Sequence, residues 1–260
     1  MSELPFGKTR TTPDELRTQI DTAAAVRRAR EGGVSCPEQR IDRFIQIVPD
    51  LLEWLENHGR EYPWRHSSDA WEVYIAEILL QRTRGDAVAE VYSAFLDEFP
   101  DPDSLANATE EDIRQLVEPL GFVNHRTRTL KEVGKLFSAE FDGDVPDSVE
   151  ELKRPWRAGE YSARACQMFA RGKPMALVDA NFARVIGRVL GYEMPVQPHK
   201  SSAVYGLLET LLPTSPELAR AFNLAILDLG ALICTAEHPD CKSCPINRGC
   251  VYYCTRMEDE

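Results

Sequence analysis

Apolar residues along this chain recur every three to four positions in one segment after another, and nowhere do they alternate convincingly with a period of two. "IDRFIQIVPDLLEWLENHG" (41–59) shows that spacing and stops at a glycine. "DAWEVYIAEILLQRT" (69–83) predicts a more apolar helix with Asp69 as its cap. The period continues through "DAVAEVYSAFLDEFP" (86–100), "TEEDIRQLVEPLG" (109–121), "RTRTLKEVGKLFSAEF" (126–141), "SVEELKRPW" (148–156) and "YSARACQMFARG" (161–172). It runs on through a helix opened by Asp179, then "KSSAVYGLLETLLP" (200–213) and "SPELARAFNLAILDLGALIC" (215–234). Short connections rich in Gly and Pro join these segments, so the expected class is all-α. Ahead of them, "PDELRTQIDTAAAVRRAREGG" (13–33) predicts an amphipathic helix within an N-terminal extension, residues 1–39, expected to be partly disordered.

A chain of 260 residues can bury one large core or two compact lobes. The N-terminus is polar, and no apolar run approaches the roughly 20 residues of a membrane span. A soluble, cytoplasmic protein with no membrane partner is expected. The net charge of −12 argues at first against nucleic acid. Its distribution softens that objection. Residues 90–118 hold nine acids and one Arg, whereas 153–173 carry six Lys/Arg against one Glu and 121–135 carry four against one. Segregated bases can form a local patch for DNA, although a solvated helix face looks the same in sequence.

Five of the seven cysteines lie between residues 234 and 254. Cys234, Cys241, Cys244 and Cys250 follow a C-x6-C-x2-C-x5-C spacing, enough thiolates to wrap one metal centre. The uneven spacing differs from the paired C-x2-C arrangement of common zinc sites, so an iron–sulfur cluster fits at least as well as zinc. Cys254 is a spare or alternative fourth ligand, and His238 reads as a loop residue. Asp179, taken alone, is an ordinary N-cap.

Together these motifs resemble the endonuclease III and adenine-glycosylase branch of the helix-hairpin-helix (HhH-GPD) DNA glycosylases. The resemblance runs from "YPWR" (62–65) to Cys250 and takes in "YIAEILLQRT" (74–83), "EPLGFVNHR" (118–126), "WRAGEYSARA" (156–165), "LVDANFARVIGR" (177–188) and "FNLAILDLGALIC" (222–234). Within the branch, "VDANFARVIGR" preceded by a hairpin Tyr is most similar to the archaeal members that remove T or U opposite G. The resemblance implies a two-lobed fold with the active site in the cleft between the lobes. One would be a six-helix barrel lobe (64–174) with the hairpin. The other, built from 40–63 and 175–260, would carry a [4Fe-4S] cluster on the four cysteines.

The resemblance also assigns roles. Asp179 occupies the place of the catalytic aspartate, where a carboxylate stabilises the positive charge that develops on the sugar as the glycosidic bond breaks. Glu77, set among Ile75, Ala76, Ile78, Leu79 and Leu80, would help the base depart; a solvent-edge Glu is the plainer reading. Tyr161 stands where strand-nicking members carry a Schiff-base Lys, and a phenol forms no imine. A monofunctional enzyme is expected. Gln81 and Arg82 align with residues that fill the gap left by a flipped base. In the hairpin, Trp156 and Arg157 replace the family's Pro and first Gly, leaving Gly159. That puts the turn's geometry in doubt and offers Arg157 as a direct phosphate contact. Arg126 is a further expected DNA contact, and Trp64 is either core or pocket wall.

The expected function is thus base-excision hydrolysis of a mispaired base in double-stranded DNA, with the protein acting as a nucleoid-associated monomer. The chain ends soon after the cysteines, so the further domain of full adenine glycosylases is expected to be absent, which favours T or U opposite G over A opposite G or 8-oxoguanine. A non-catalytic DNA-binding module on the same fold is the reading from another class.

Overall fold

A computed structural model describes residues 6–258. Among those residues the helices are, in order, α1 (Pro13–Gln19), α2 (Thr22–Glu31), α3 (Pro37–His58), α4 (Ala70–Leu79), α5 (Gly85–Glu98), α6 (Pro102–Asn107) and α7 (Glu110–Val117). They continue as α8 (Val123–Glu140), α9 (Val149–Leu152), α10 (Glu160–Phe169), α11 (Ala180–Leu190), α12 (Ser202–Leu211), α13 (Pro216–Leu232) and α14 (Val251–Glu258). No strand occurs among the described residues, and the fold is all-α. None of these helices is long and apolar enough to cross a membrane.

The chain divides into two compact units, one taking in the described residues up to Arg60 and from Pro174 onward, the other Glu61–Lys173. The second unit is built around α4, whose side chains from Val73 to Leu79 are buried without a break. A helix apolar on all sides must be covered on all sides, and α5, α8 and α10 pack against it. Its largest side chains satisfy their polar ends inside the core: the Tyr74 hydroxyl donates to the Leu152 carbonyl at 2.7 Å and the Trp71 indole N–H to that of Phe99 at 2.9 Å. Trp64 is core as well, stacked on Tyr62 and edge-on to Tyr92, with ring centroids 4.7 and 5.4 Å away.

In the first unit α3, α11 and α13 enclose Phe44, Phe182 and Phe222, the last meeting both other rings edge to face. Asp228, on α13, is wholly buried and takes a hydrogen bond from the Arg60 backbone N–H and two from its guanidinium, all at 2.7–2.8 Å. That pairing is what lets a carboxylate stand inside an apolar helix.

The N-terminal stretch departs from expectation. One amphipathic helix was expected over 13–33, but the chain breaks at Ile20, and Asp21 caps a second helix by accepting from Ala24 N–H at 2.9 Å. Leu16, Ala25 and Ala29 are buried, and α2 lies against α3 and α12. Residues 13–31 are therefore part of the first unit; residues 1–5 of the extension lie outside the described residues.

Candidate active site and cysteine centre

Asp179 caps α11, with Oδ1 accepting from the Phe182 N–H at 2.6 Å and Oδ2 from the Asn181 amide at 3.4 Å. Burial raises its carboxyl above the ordinary carboxylate range; the N–H groups of Phe182 and Asn181 and the charges of Arg184 and Arg60 pull the other way without cancelling it. Two residues of α13 fix its surroundings. Asn223, fully buried, accepts from the Leu177 N–H at 3.2 Å and donates to the Met175 carbonyl at 3.1 Å, tying down the apolar run that leads into the cap. Gly230 lies against Asn181 so closely that a Cβ there would fall 2.7 Å from the Asn181 Cβ. The sequence reading missed both positioning residues. Their signal was a polar residue and a glycine inside an otherwise apolar helix.

The far part of α11 meets the cysteine segment. The Arg184 guanidinium donates to the carbonyls of Cys234 and Gly230, both at 2.8 Å. Arg188 donates to the Thr235 carbonyl at 2.6 Å and to the Cys234 sulfur at 3.3 Å. Cys234, Cys241, Cys244 and Cys250 line one cavity with Val185, Val189, Leu229, Ile233 and Ile246, and neither Cys254 nor His238 lines it. Burial pushes the Cys244 thiol up to about 12 and that of Cys250 to about 11, with the neighbouring thiols adding to it. Four thiolates in such a cavity need a cationic centre to hold them deprotonated. As placed, no three His, Cys, Asp or Glu side chains among the described residues converge closely enough to share a single ion.

In the second unit Glu77 is 6% exposed on α4, and Tyr161 is half-buried in the first turn of α10, which packs on α4. Gln81, Arg82, Arg126 and Arg157 line one solvent-open hollow together with Ile78, Phe122, His125 and Thr129. No carboxylate lines it. Five non-glycine residues among those described have positive φ, and three of them, Arg82 (55°), Phe122 (49°) and Arg157 (62°), surround this hollow. Backbone strain gathered at one place marks a site whose surroundings enforce it. Phe122 is 51% exposed and lies under the Arg82 guanidinium at 5.5 Å. Sequence reasoning passed it over, though a large aromatic directly after Gly121, where the chain turns into α8, is such a signal.

The structure corrects one expected DNA contact. Arg126 is 4% exposed and turns inward, donating to the carbonyls of Gly121, Leu79 (3.2 Å) and Gln81 (2.9 Å) and to the Thr83 hydroxyl (2.7 Å). It satisfies the C-terminal carbonyls of α4 and so positions Gln81 instead of meeting a phosphate. The hairpin also keeps its tight turn. Arg157 takes the left-handed conformation, at the position where the resemblance led to the expectation of a Gly, and the Ala158 N–H closes the turn on the Pro155 carbonyl at 2.9 Å. Gly159 sits at the N-cap of α10 with φ −100°, and a Cβ there would meet open space.

The sequence matches a family model described as HhH-GPD superfamily base excision DNA repair protein over residues 75–205. It is 37% identical over 205 residues to a thymine-DNA glycosylase of Aeropyrum pernix, covering 78% of this chain and 92% of the relative. A thymine/uracil-DNA glycosylase of Pyrobaculum aerophilum is 35% identical over 213 residues, covering 81% and 93%. Among solved structures, that of a thermostable thymine-DNA glycosylase superposes with a TM-score of 0.75 at 30% identity, covering 82% of this chain and 97% of the other.

Proposed function

The chain belongs to the HhH-GPD superfamily of base excision DNA repair proteins and is a DNA glycosylase, and from that premise we propose that it removes thymine or uracil paired with guanine, by hydrolysis without strand cleavage. The observation that carries the chemistry is Asp179, a carboxylate kept largely from water yet held by two N–H donors at a helix N-terminus. In its ionised form it opposes the positive charge that builds on the deoxyribose as the N-glycosidic bond lengthens. Glu77, buried in an apolar helix, hands a proton or hydrogen bond to the departing base. Tyr161, in the first turn of α10, cannot form an imine, so the product is an intact strand with an abasic site. Gln81, Arg82 and Phe122 surround a hollow suited to filling the stack and holding the orphaned guanine once the base has flipped. The unit Glu61–Lys173 serves as the barrel lobe, and the unit formed by the described residues up to Arg60 and from Pro174 onward as the cluster lobe.

A [4Fe-4S] cluster fits the cysteine cavity better than zinc. Around one tetrahedral zinc, sulfurs lie about 3.8 Å apart, given Zn–S bonds of about 2.3 Å. Four cysteines that line a common cavity without converging on a point suit a group containing several metal atoms. When bound, the cluster supplies a rigid cross-link for the segment that Arg184 and Arg188 tie to α11.

Single-turnover assays on duplexes carrying T:G, U:G, A:G and A:8-oxoG, each with and without alkali, test this reading. Alkali-dependent breakage at T:G and U:G alone is expected. Breakage at A would move the protein to the adenine-removing members, and breakage without alkali, with borohydride trapping, would end the monofunctional reading. Tight duplex binding without base release would favour the binding module.

A further inference from the structure

The first described residues of the chain lie across one seam of the first unit, that between α3 and α13. Phe6 is 2% exposed, and its ring tip fills the space beside Gly59, where a Cβ would fall 2.7 Å from the Phe6 Cζ. Gly7, at φ 81°, passes so close to the first turn of α13 that a Cβ there would meet the Glu217 carbonyl oxygen at 2.7 Å. Both conditions select glycine. Thr9, itself buried, donates through its hydroxyl to Glu56 Oε2, in the last turn of α3, at 3.1 Å. Gln19 anchors the other end. Its backbone carbonyl accepts from the Thr214 N–H at 3.1 Å, and its side-chain oxygen accepts from the Thr214 hydroxyl at 2.6 Å and the Ser215 N–H at 2.9 Å. Ser215 is the N-cap of α13. Between these anchors Leu16 is fully buried, and α1 packs on α3. One short stretch thus grips the end of α3 and the start of α13. Arg60, the residue after Gly59, crosses the same seam, with its N–H and guanidinium bonded to Asp228 of α13. The cations that act on Asp179 are Arg184, from its own helix, and Arg60; the buried acid of α13, Asp228, is matched by Arg60 itself.

We propose that residues 6–19 act as a strap that holds the end of α3 on α13 and so seats Arg60, making Phe6 and Gln19 positioning residues for the reaction at Asp179. The catalytic half of this inference rests on the glycosylase reading above; the seating of Arg60 does not. Gly59 closes α3 by donating its N–H to the Leu55 carbonyl at 2.8 Å, with Phe6 packed against it. A loosened strap lets that turn open locally. Arg60 then leaves its seat for part of the time, and Asp179 loses one of the two cations that oppose its protonation. Its carboxyl titrates higher, so the acid limb of the rate profile moves up in pH.

The test uses the full chain with its metal centre, as Phe6→Ala, Phe6→Leu and Gln19→Ala. Hydrogen exchange reads the seat directly, since the Arg60 N–H is bonded to Asp228. In Phe6→Ala and Gln19→Ala that amide should exchange about tenfold faster, while the amides of α4, in the other unit, keep their parental rates. Single-turnover release from a T:G duplex should show its acid limb moved up by about half a pH unit, read as about threefold slower release on that limb. The plateau rate and the duplex Kd should stay at parental values. Phe6→Leu, which keeps an apolar side chain beside Gly59, should restore most of both readouts. If Phe6→Ala does not fold, the half-buried Gln19 carries the test through Gln19→Ala. Parental exchange at Arg60 in a folded variant would overturn the proposal. So would exchange that rises equally in every helix, or a plateau rate and Kd that worsen while the acid limb stays in place, because each of these marks a strap that only stabilises the fold. A parent protein that protects the Arg60 N–H yet releases no base would refute the glycosylase substrate reading while leaving the strap, read by exchange, standing.

Discussion

Asp179 performs two tasks that a pair of substitutions can separate. Asn is as good an N-cap as Asp, so Asp179→Asn retains the bond from the Phe182 N–H while removing the charge. Asp179→Ala removes both. The cap is worth about 1 kcal/mol, which in a protein of this size corresponds to a midpoint about 2–4 °C lower in the Ala variant. The charge acts with the opposite sign. Because the folded-state pKa lies above the unfolded value, the native protein holds more protons than the unfolded one between those two values, and stability falls as pH rises through that window. Asp179→Asn, which cannot ionise, escapes this loss. It should melt above the parent at pH 8, the gap closing as pH drops below the native pKa. Catalysis should collapse in both variants. A carboxylate about 4 Å from a developing cation at an effective dielectric constant near 20 is worth about 4 kcal/mol, or about 10³ in rate. The readouts are single-turnover base release from a T:G duplex and calorimetric melting across pH. The rate of the parent should fall on acidification through a pKa above the usual carboxylate range. An Asn variant that kept a tenth of the parental rate would refute the catalytic assignment. One that melted below the parent at pH 8 would refute the claim that burial dominates at this carboxylate.

Gly230→Ala drives a Cβ into Asn181, two residues past the cap; strain of this kind costs about 1–3 kcal/mol, and base release should slow more than duplex binding weakens, measured by pairing single-turnover rates with anisotropy. Arg126→Leu strands the carbonyls of Leu79, Gln81 and Gly121 and should destabilise the fold by about 1–3 kcal/mol in denaturant titrations; a near-neutral result would refute the positioning role given to Arg126. Elemental analysis of protein purified without oxygen should give about four irons and four sulfides per chain, against one metal for zinc, and Arg188→Gln, which loses the bond to the Cys234 sulfur, should release iron faster in air.

Most helices were legible because the 3.6-residue period is a local property: burying one face of a segment leaves its mark wherever the segment ends up. The elements missed are those in which that mark is short or interrupted, namely the six residues of α6, the polar α14, and the break at Ile20 where Asp21 starts a new helix. Arg126 was misread for a more instructive reason. It lies four residues before Leu130 and seven before Val133, both buried, so it occupies the apolar stripe of α8 and was bound to turn inward whatever its charge suggested. Phe122 shows the converse. Continuing the stripe backward by four would bury it, but its left-handed backbone takes it off the helix and leaves half its surface to solvent. Residues 82, 122 and 157 lie in three separate segments, and each adopts a conformation that its own side chain disfavours. Long-range bonds hold these three segments together, the Arg126 guanidinium donating to the carbonyls that precede Arg82 and Phe122, those of Gln81 and Gly121, and the Gln81 amide holding the Arg157 carbonyl. Cysteine spacing and a capping aspartate are written in neighbouring letters. A strained rim assembled by an inward arginine is not, because it exists only once all three segments have been brought to the same place.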